Sequence, residues 1–281
     1  MMRVLQRPRR ASVPWLVTLL VAATALIWIA TPAAHAAKGK KAGARPTIVL
    51  VHGAFADASG WNGVTARLQQ KGYTVVAPPN PLRGVAPDAA YMRSFLGQIQ
   101  GPIVLVGHSY GGVVITNAAT GNPNVKALVY VAAYAPDEGD TVGGLEQLAP
   151  GGMIGPSTLD IRTFPTADGQ QAPEGTIKPS VFHDVFAADL PRSETDVMAG
   201  AQRPAALSSL TEPSGPPAWK TIPSWYIVAG KDNAIGTKVE RIMARRMDAR
   251  TTEVKDASHV VMMSHPAKTT QVILDAVQAT D

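Results

Sequence analysis

Apolar residues along this chain come in short continuous runs separated by amphipathic stretches. Thr47 to Val51, Tyr73 to Ala77, Ile103 to Val106, Ala127 to Val131, Ser224 to Ala229 and Thr251 to Val254 are rich in β-branched residues. Each predicts a strand, and unbroken apolarity predicts one buried on both faces. Between them the spacing changes. Trp61 to Lys71 places Trp61, Val64 and Leu68 on one side of a helix, and Gly72 stops it. Asp88 to Gln100 does the same through Ala89, Met92, Phe95, Leu96 and Ile99. Tyr110 to Ala119 is small and apolar throughout, while Val239 to Arg246 and Lys268 to Ala279 are amphipathic. Buried strands alternating with helices predict an α/β fold with a mostly parallel central sheet flanked by helices.

The alternation stops after Ala135 and resumes at Ser224. Residues 136 to about 218 are rich in Gly and Pro and show no convincing strand. Val181 to Ala188, Glu194 to Ala201 and Ala205 to Leu210 read as short helices. A helical insertion there predicts a cap over the carboxyl edge of the sheet, where such sheets bind ligands.

The first 45 residues read differently. Arg3, Arg7, Arg9 and Arg10 precede an apolar run from Val13 to Ala30, and Ala34-His35-Ala36 has a small-x-small pattern. This predicts a signal peptide over 1–36 and an exported, periplasmic or secreted, protein. The alternative is an anchor in the membrane through residues 13–30, which is about long enough to span. Lys38 to Arg45 is basic and small, so 37–45 reads as a linker, with the folded domain at 46–281. The formal net charge is +5. The four leader arginines carry most of it, so the charge does not point to nucleic acid. There is no cysteine, which excludes disulfides, thiolate metal sites and a thiol nucleophile. Nothing in the sequence predicts a metal or cofactor site, and the oligomeric state is left open.

Gly107-His108-Ser109-Tyr110-Gly111 matches G-x-S-x-G. The match carries weight because it ends an apolar strand and opens a small-residue helix, the setting of a nucleophile elbow. Ser109 is the expected nucleophile. A serine hydroxyl needs a base, and His259 follows the last predicted strand. His265 is the competitor, but it directly precedes Pro266 at the start of the final helix. An acid should hold the base from the end of the preceding strand, which selects Asp232 in Gly230-Lys231-Asp232. Asp137 is the alternative, and Asp256 is too near His259 in the chain. The oxyanion donors are expected from the backbone N–H groups of Tyr110 and of Ala54, in the loop His52-Gly53-Ala54-Phe55. His52 and His108 are expected to be structural, His108 pointing away from the nucleophile, and His183 at most lines a pocket.

With these residues placed, the chain resembles the α/β-hydrolase superfamily, and within it the plant methylesterase and hydroxynitrile lyase group and its bacterial esterase relatives. The resemblance runs from about Pro46 to the C-terminus. It is carried by Val49 to Ala54, Val106 to Gly112, Val131 to Asp137, Tyr226 to Val228 with Lys231-Asp232, and Ala257 to Met262. It implies an α/β-hydrolase fold with a cap, favours Asp232 over Asp137, and implies hydrolysis of a small-molecule carboxylic ester without a cofactor. Two differences limit it. The Lys that lyases of the group carry after the catalytic His is Val260 here, which disfavours lyase activity. The loop after Ala54 and the cap differ from the plant enzymes, so their substrates do not carry over. A lyase or acyltransferase on the same triad, and a ligand-binding protein without turnover, are the competing readings.

Overall fold

The computed structural model describes residues 45–279. The signal-peptide and anchor expectations, and all of the linker except Arg45, fall outside the described residues.

Six strands form the central sheet: β1 (Thr47–Val51), β2 (Val75–Val76), β3 (Ile103–Ser109), β4 (Val125–Ala133), β8 (Ser224–Ala229) and β9 (Arg250–Val254). All six predicted strands are present, and every pairing among them is parallel. The order is β2-β1-β3-β4-β8-β9. The chain runs outward from β1 to β2, then crosses back to β3 on the other side of β1. The reversal opens a crevice beyond the carboxyl ends of β1 and β3. The loop His52–Phe55 and residue Ser109 leave the sheet at those two ends.

Helices cover both faces. Asn62–Gln70 packs beside Pro266–Gln278, and Val85–Leu96 packs beside Gly111–Ala118. Every residue of β3 is buried, as its unbroken apolar pattern requires. Trp61, Val64 and Leu68 are fully buried, the stripe that the sequence predicts for the first helix.

The segment between β4 and β8 holds short helices at Pro179–Phe186 and Arg192–Gly200, as expected. It also holds a three-stranded antiparallel sheet of β5 (Leu159–Pro165), β6 (Gln171–Ile177) and β7 (Ala205–Ala206), which the pattern did not predict. The insertion is therefore mixed in character, and Ala205-Ala206 is strand where helix was expected. The β5–β6 hairpin is largely solvated, with Ile161 48% exposed, so the apolar signal that marks a buried strand is short and weak there.

Candidate active site

Ser109 ends β3 and has φ +53°, the left-handed region that non-glycine residues rarely occupy. Holding it there costs about 1–3 kcal/mol. Its neighbours enforce the turn. The β3–β4 register slips by one between His108↔Val131 and Ser109↔Ala133, so Ala132 bulges with φ +43°. Tyr134 N–H donates to Ser109 O at 3.1 Å. The bend also requires small residues around it. A Cβ on Gly107 would lie 2.6 Å from Gly111 O, and one on Gly111 would lie 2.6 Å from Val51 O. The helix Gly111–Ala118 starts directly after Tyr110, with its N-terminus toward the turn. That end of a helix favours negative charge.

The loop after β1 lies against the same serine. A Cβ on Gly53 would meet Ser109 Cβ at 2.6 Å and Ser109 Oγ at 3.2 Å. His52 secures this loop. Its Nδ1 bonds Gly53 O (2.9 Å), and its Nε2 accepts from Asn80 N–H (3.0 Å). Burial, the largest influence, holds this imidazole below its ordinary pKa. Phe55 follows Ala54 with φ +61°.

His259 and Asp232 come together from 27 residues apart. His259 Nδ1 lies 2.6 Å from Asp232 Oδ2, and both side chains are fully enclosed. A carboxylate only accepts, so Nδ1 carries the hydrogen and Nε2 keeps its lone pair. Asp232 Oδ1 accepts from the N–H groups of Ala234 (2.7 Å) and Ile235 (2.9 Å). Burial alone would raise the Asp232 pKa. The His259 ring and the hydrogen bonds to the carboxylate outweigh burial and hold it below the ordinary carboxylate range.

His259 Nε2 is buried and has no hydrogen-bond partner among the described residues. The bond from Ser109 Oγ to this nitrogen is thus not formed in the structure. The loop carrying His259 is nonetheless held against the end of β3 that carries Ser109. His108, the residue before Ser109, bonds His259 O through Nε2 at 3.0 Å, and the two rings lie 4.6 Å apart. His108, expected to be structural, faces the His259 loop and supports it. A carbonyl only accepts, so His108 Nε2 carries the hydrogen. Burial, reinforced by His259, keeps His108 well below its ordinary pKa and therefore neutral. On the other side, Ser258 N–H donates to Asp189 Oδ2 (3.0 Å) and Ser258 Oγ to Asp189 Oδ1, tying the loop to the insertion.

The rejected candidates lie elsewhere. Asp137 pairs with Lys220 at 2.5 Å. Asp256 is largely exposed and faces His265 at 3.5 Å. His183 bonds Thr195 Oγ1 at 3.1 Å. The Tyr110 hydroxyl donates to buried Asp88 at 3.0 Å, fixing the residue whose N–H is the expected oxyanion donor.

Two cavities flank Phe55. One, about 20 Å³, is lined by Ala54, Ser109, Tyr110, Tyr134, Glu146 and the segment Ala205–Leu210. The other, about 120 Å³, is mostly apolar, with Phe182, Phe186, Met198, Val260, Met262 and Met263 in its walls. Glu146 accepts from Tyr134 OH at 2.6 Å, and burial pushes its pKa up. Asp189 and Glu146 had no sequence signal for their place here, because each acts through contacts between separate segments.

A parallel sheet reversing at β1/β3, a strained serine at the β3 turn and a buried Asp–His pair beyond the later strands define a class, and the chain belongs to the alpha/beta hydrolase family, which it matches over residues 48–272. Several of its relatives carry esterase names. Over 112 residues it is 35% identical to a carbendazim hydrolyzing esterase from Nocardioides sp. (strain SG-4G), covering 34% of this chain and 46% of that enzyme. With Methylesterase 7 of Arabidopsis thaliana it shares 26% identity over 253 residues, 81% of this chain and 94% of that protein. Among solved structures, polyneuridine aldehyde esterase superposes with a TM-score of 0.71 at 19% identity, covering 82% of this chain and 98% of that one. That likeness is one of fold.

Proposed function

We propose that this protein is a serine hydrolase that cleaves a small, apolar carboxylic ester through an acyl-enzyme. The observation that carries the reading is the buried Asp232–His259 pair, whose imidazole offers a free Nε2 lone pair next to the turn that presents Ser109. The esterase names of relatives support the reaction class.

His259 Nε2 takes the Ser109 proton as Oγ attacks the ester carbonyl. Asp232 holds the ring in the required tautomer and stabilises the imidazolium. The N–H groups of Ala54 and Tyr110 receive the developing oxyanion. His259 then protonates the leaving alcohol and activates the water that releases the acid. Substrate binding closes the Ser109–His259 bond, since catalytic hydrogen bonds are often long before the Michaelis complex forms. The mostly apolar walls around Phe55 favour an apolar ester.

The test is turnover of p-nitrophenyl acetate by the wild type and Ser109→Ala. The wild type is expected to be active and the variant to lose at least ~10³-fold, the scale of triad removal. Equal rates would refute the assignment. Residues 1–36 are proposed to direct export and then be removed. The intact mass of protein recovered from the producing cells decides this, and a full-length chain would count against cleavage.

A further inference from the structure

Next to Asp232 lies a second carboxyl group that the chemistry above does not use. Glu240 belongs to the helix Thr237–Arg246, eight residues beyond Asp232, and it is 0% exposed. Its Oε2 accepts from Ala229 N–H at 3.0 Å, at the end of β8. Its Oε1 is enclosed and meets no donor among the described residues. Ala229 ties the two acids together, its N–H bonded to Glu240 and its carbonyl accepting from Asp232 N–H at 3.3 Å, and each carboxyl group acts on the ionisation of the other. Two carboxylates in contact inside a protein repel, and one proton between them turns the contact into a hydrogen bond.

The partners decide which group keeps that proton. Asp232 faces His259 Nδ1–H and the N–H groups of Ala234 and Ile235, all of which favour its anion. Glu240 has one N–H donor, from Ala229. We propose that Glu240 is a positioning residue, a neutral carboxylic acid that donates a hydrogen bond to Asp232 and so fixes the carboxylate that orients His259. This role rests on the reading of Asp232 and His259 as the acid and base of the site.

The surroundings agree. Burial, followed by the charge of Asp232, drives the Glu240 pKa well above its ordinary value. The other ionisable groups that act on the pair are Tyr226 on β8, Tyr134 after β4, and Glu253 on β9. Tyr226 OH is committed to Ala133 O, and Tyr134 OH to Glu146. Arg241, the neighbouring cation on the helix, is held by Glu253 in two bonds of 3.0 and 2.7 Å. No cation is left to neutralise an ionised Glu240 in this set.

Glutamine reproduces what a neutral Glu240 does: its carbonyl can accept from Ala229 N–H and its NH₂ can donate to Asp232. The experiment compares wild type, Glu240→Gln and Glu240→Leu in melting temperature across pH and in the pH profile of kcat/KM on p-nitrophenyl acetate. Glu240→Gln is expected to keep kcat/KM within about threefold and to leave the acid limb in place. Its melting temperature should match the wild type near about pH 4 and exceed it by a growing margin above. The wild-type fold must retain a proton that its unfolded chain releases there, which destabilises it as pH rises. Glu240→Leu leaves Asp232 without the donor. Its charge then holds the imidazolium more tightly, so the acid limb should move to higher pH. Melting curves of wild type and Glu240→Gln that run parallel from pH 5 to pH 9 would overturn the proposal, as would an activity loss in Glu240→Gln as large as in Glu240→Leu. The melting comparison needs no turnover, so an inactive wild type would sink the hydrolase reading while leaving this test standing. If Glu240→Leu does not fold, the glutamine variant decides alone.

Discussion

Replacing Gly53 by alanine tests how tightly the loop after β1 is fitted to Ser109, the proposed nucleophile. The added Cβ would lie 2.6 Å from Ser109 Cβ and 3.0 Å from His108 O. Carbon atoms pack at about 3.5–4.0 Å, so something must move by about 1 Å. Ser109 cannot easily give way, because β3 is paired on both sides and Ser109 O is bonded to Tyr134 N–H. The loop must yield instead, against the His52 bonds that tie it to Gly53 O and Asn80. Its displacement carries Ala54 N–H away from the developing oxyanion. Loss of one such donor lowers kcat ~10²–10³-fold, and overpacking costs about 1–3 kcal/mol of stability. The donor acts mainly in the transition state, so kcat should fall far more than KM rises. Initial rates on p-nitrophenyl acetate, with thermal melting to verify folding, provide the assay. A folded Gly53→Ala protein within about threefold of the wild-type kcat would refute the placement of the oxyanion loop.

Two further perturbations probe the walls of the site. Phe55 separates the two cavities, so Phe55→Ala should join them and raise kcat/KM for p-nitrophenyl hexanoate relative to the acetate by about tenfold, the lower range for a methylene-scale pocket change; an unchanged ratio contradicts this division. Asp189→Ala removes both bonds that hold Ser258 beside His259. It should cost about 1–3 kcal/mol in urea unfolding, the scale of bonds to a charged group, and lower kcat with little change in KM; a variant equal to the wild type in both would show that the tie is dispensable.

The inner strands were legible because their burial on both faces leaves an unbroken apolar run, as in Ile103 to Val106 and Ser224 to Ala229. The elbow was legible because strand, Gly107, Ser109 and small-residue helix occur together. The β5–β6 hairpin was missed for the opposite reason. Most of its residues face solvent, Pro165 ends β5 and Pro173 lies within β6, and of its apolar side chains only Leu159 and Ile177 are buried. One local signal was present: Asp168-Gly169 marks its turn, with Gly169 at φ +80°. Glu240 shares a helix face with the buried Met243 and Ala244, three and four residues on, so a carboxyl on an apolar stripe was visible in the pattern. Its meeting with Asp232 was not, because it depends on how that helix docks beside β8. The same holds for Asp189, whose partner Ser258 lies 69 residues away.

The central claim is that Ser109 is the nucleophile and that His259 makes it reactive. Labelling with an alkyl fluorophosphonate, followed by peptide mass analysis, tests it most directly. The account predicts a single phosphonyl group on Ser109, formed rapidly in the wild type and at a greatly reduced rate in folded His259→Ala. A label on another residue, or labelling of Ser109 at an unchanged rate without the imidazole, would contradict it.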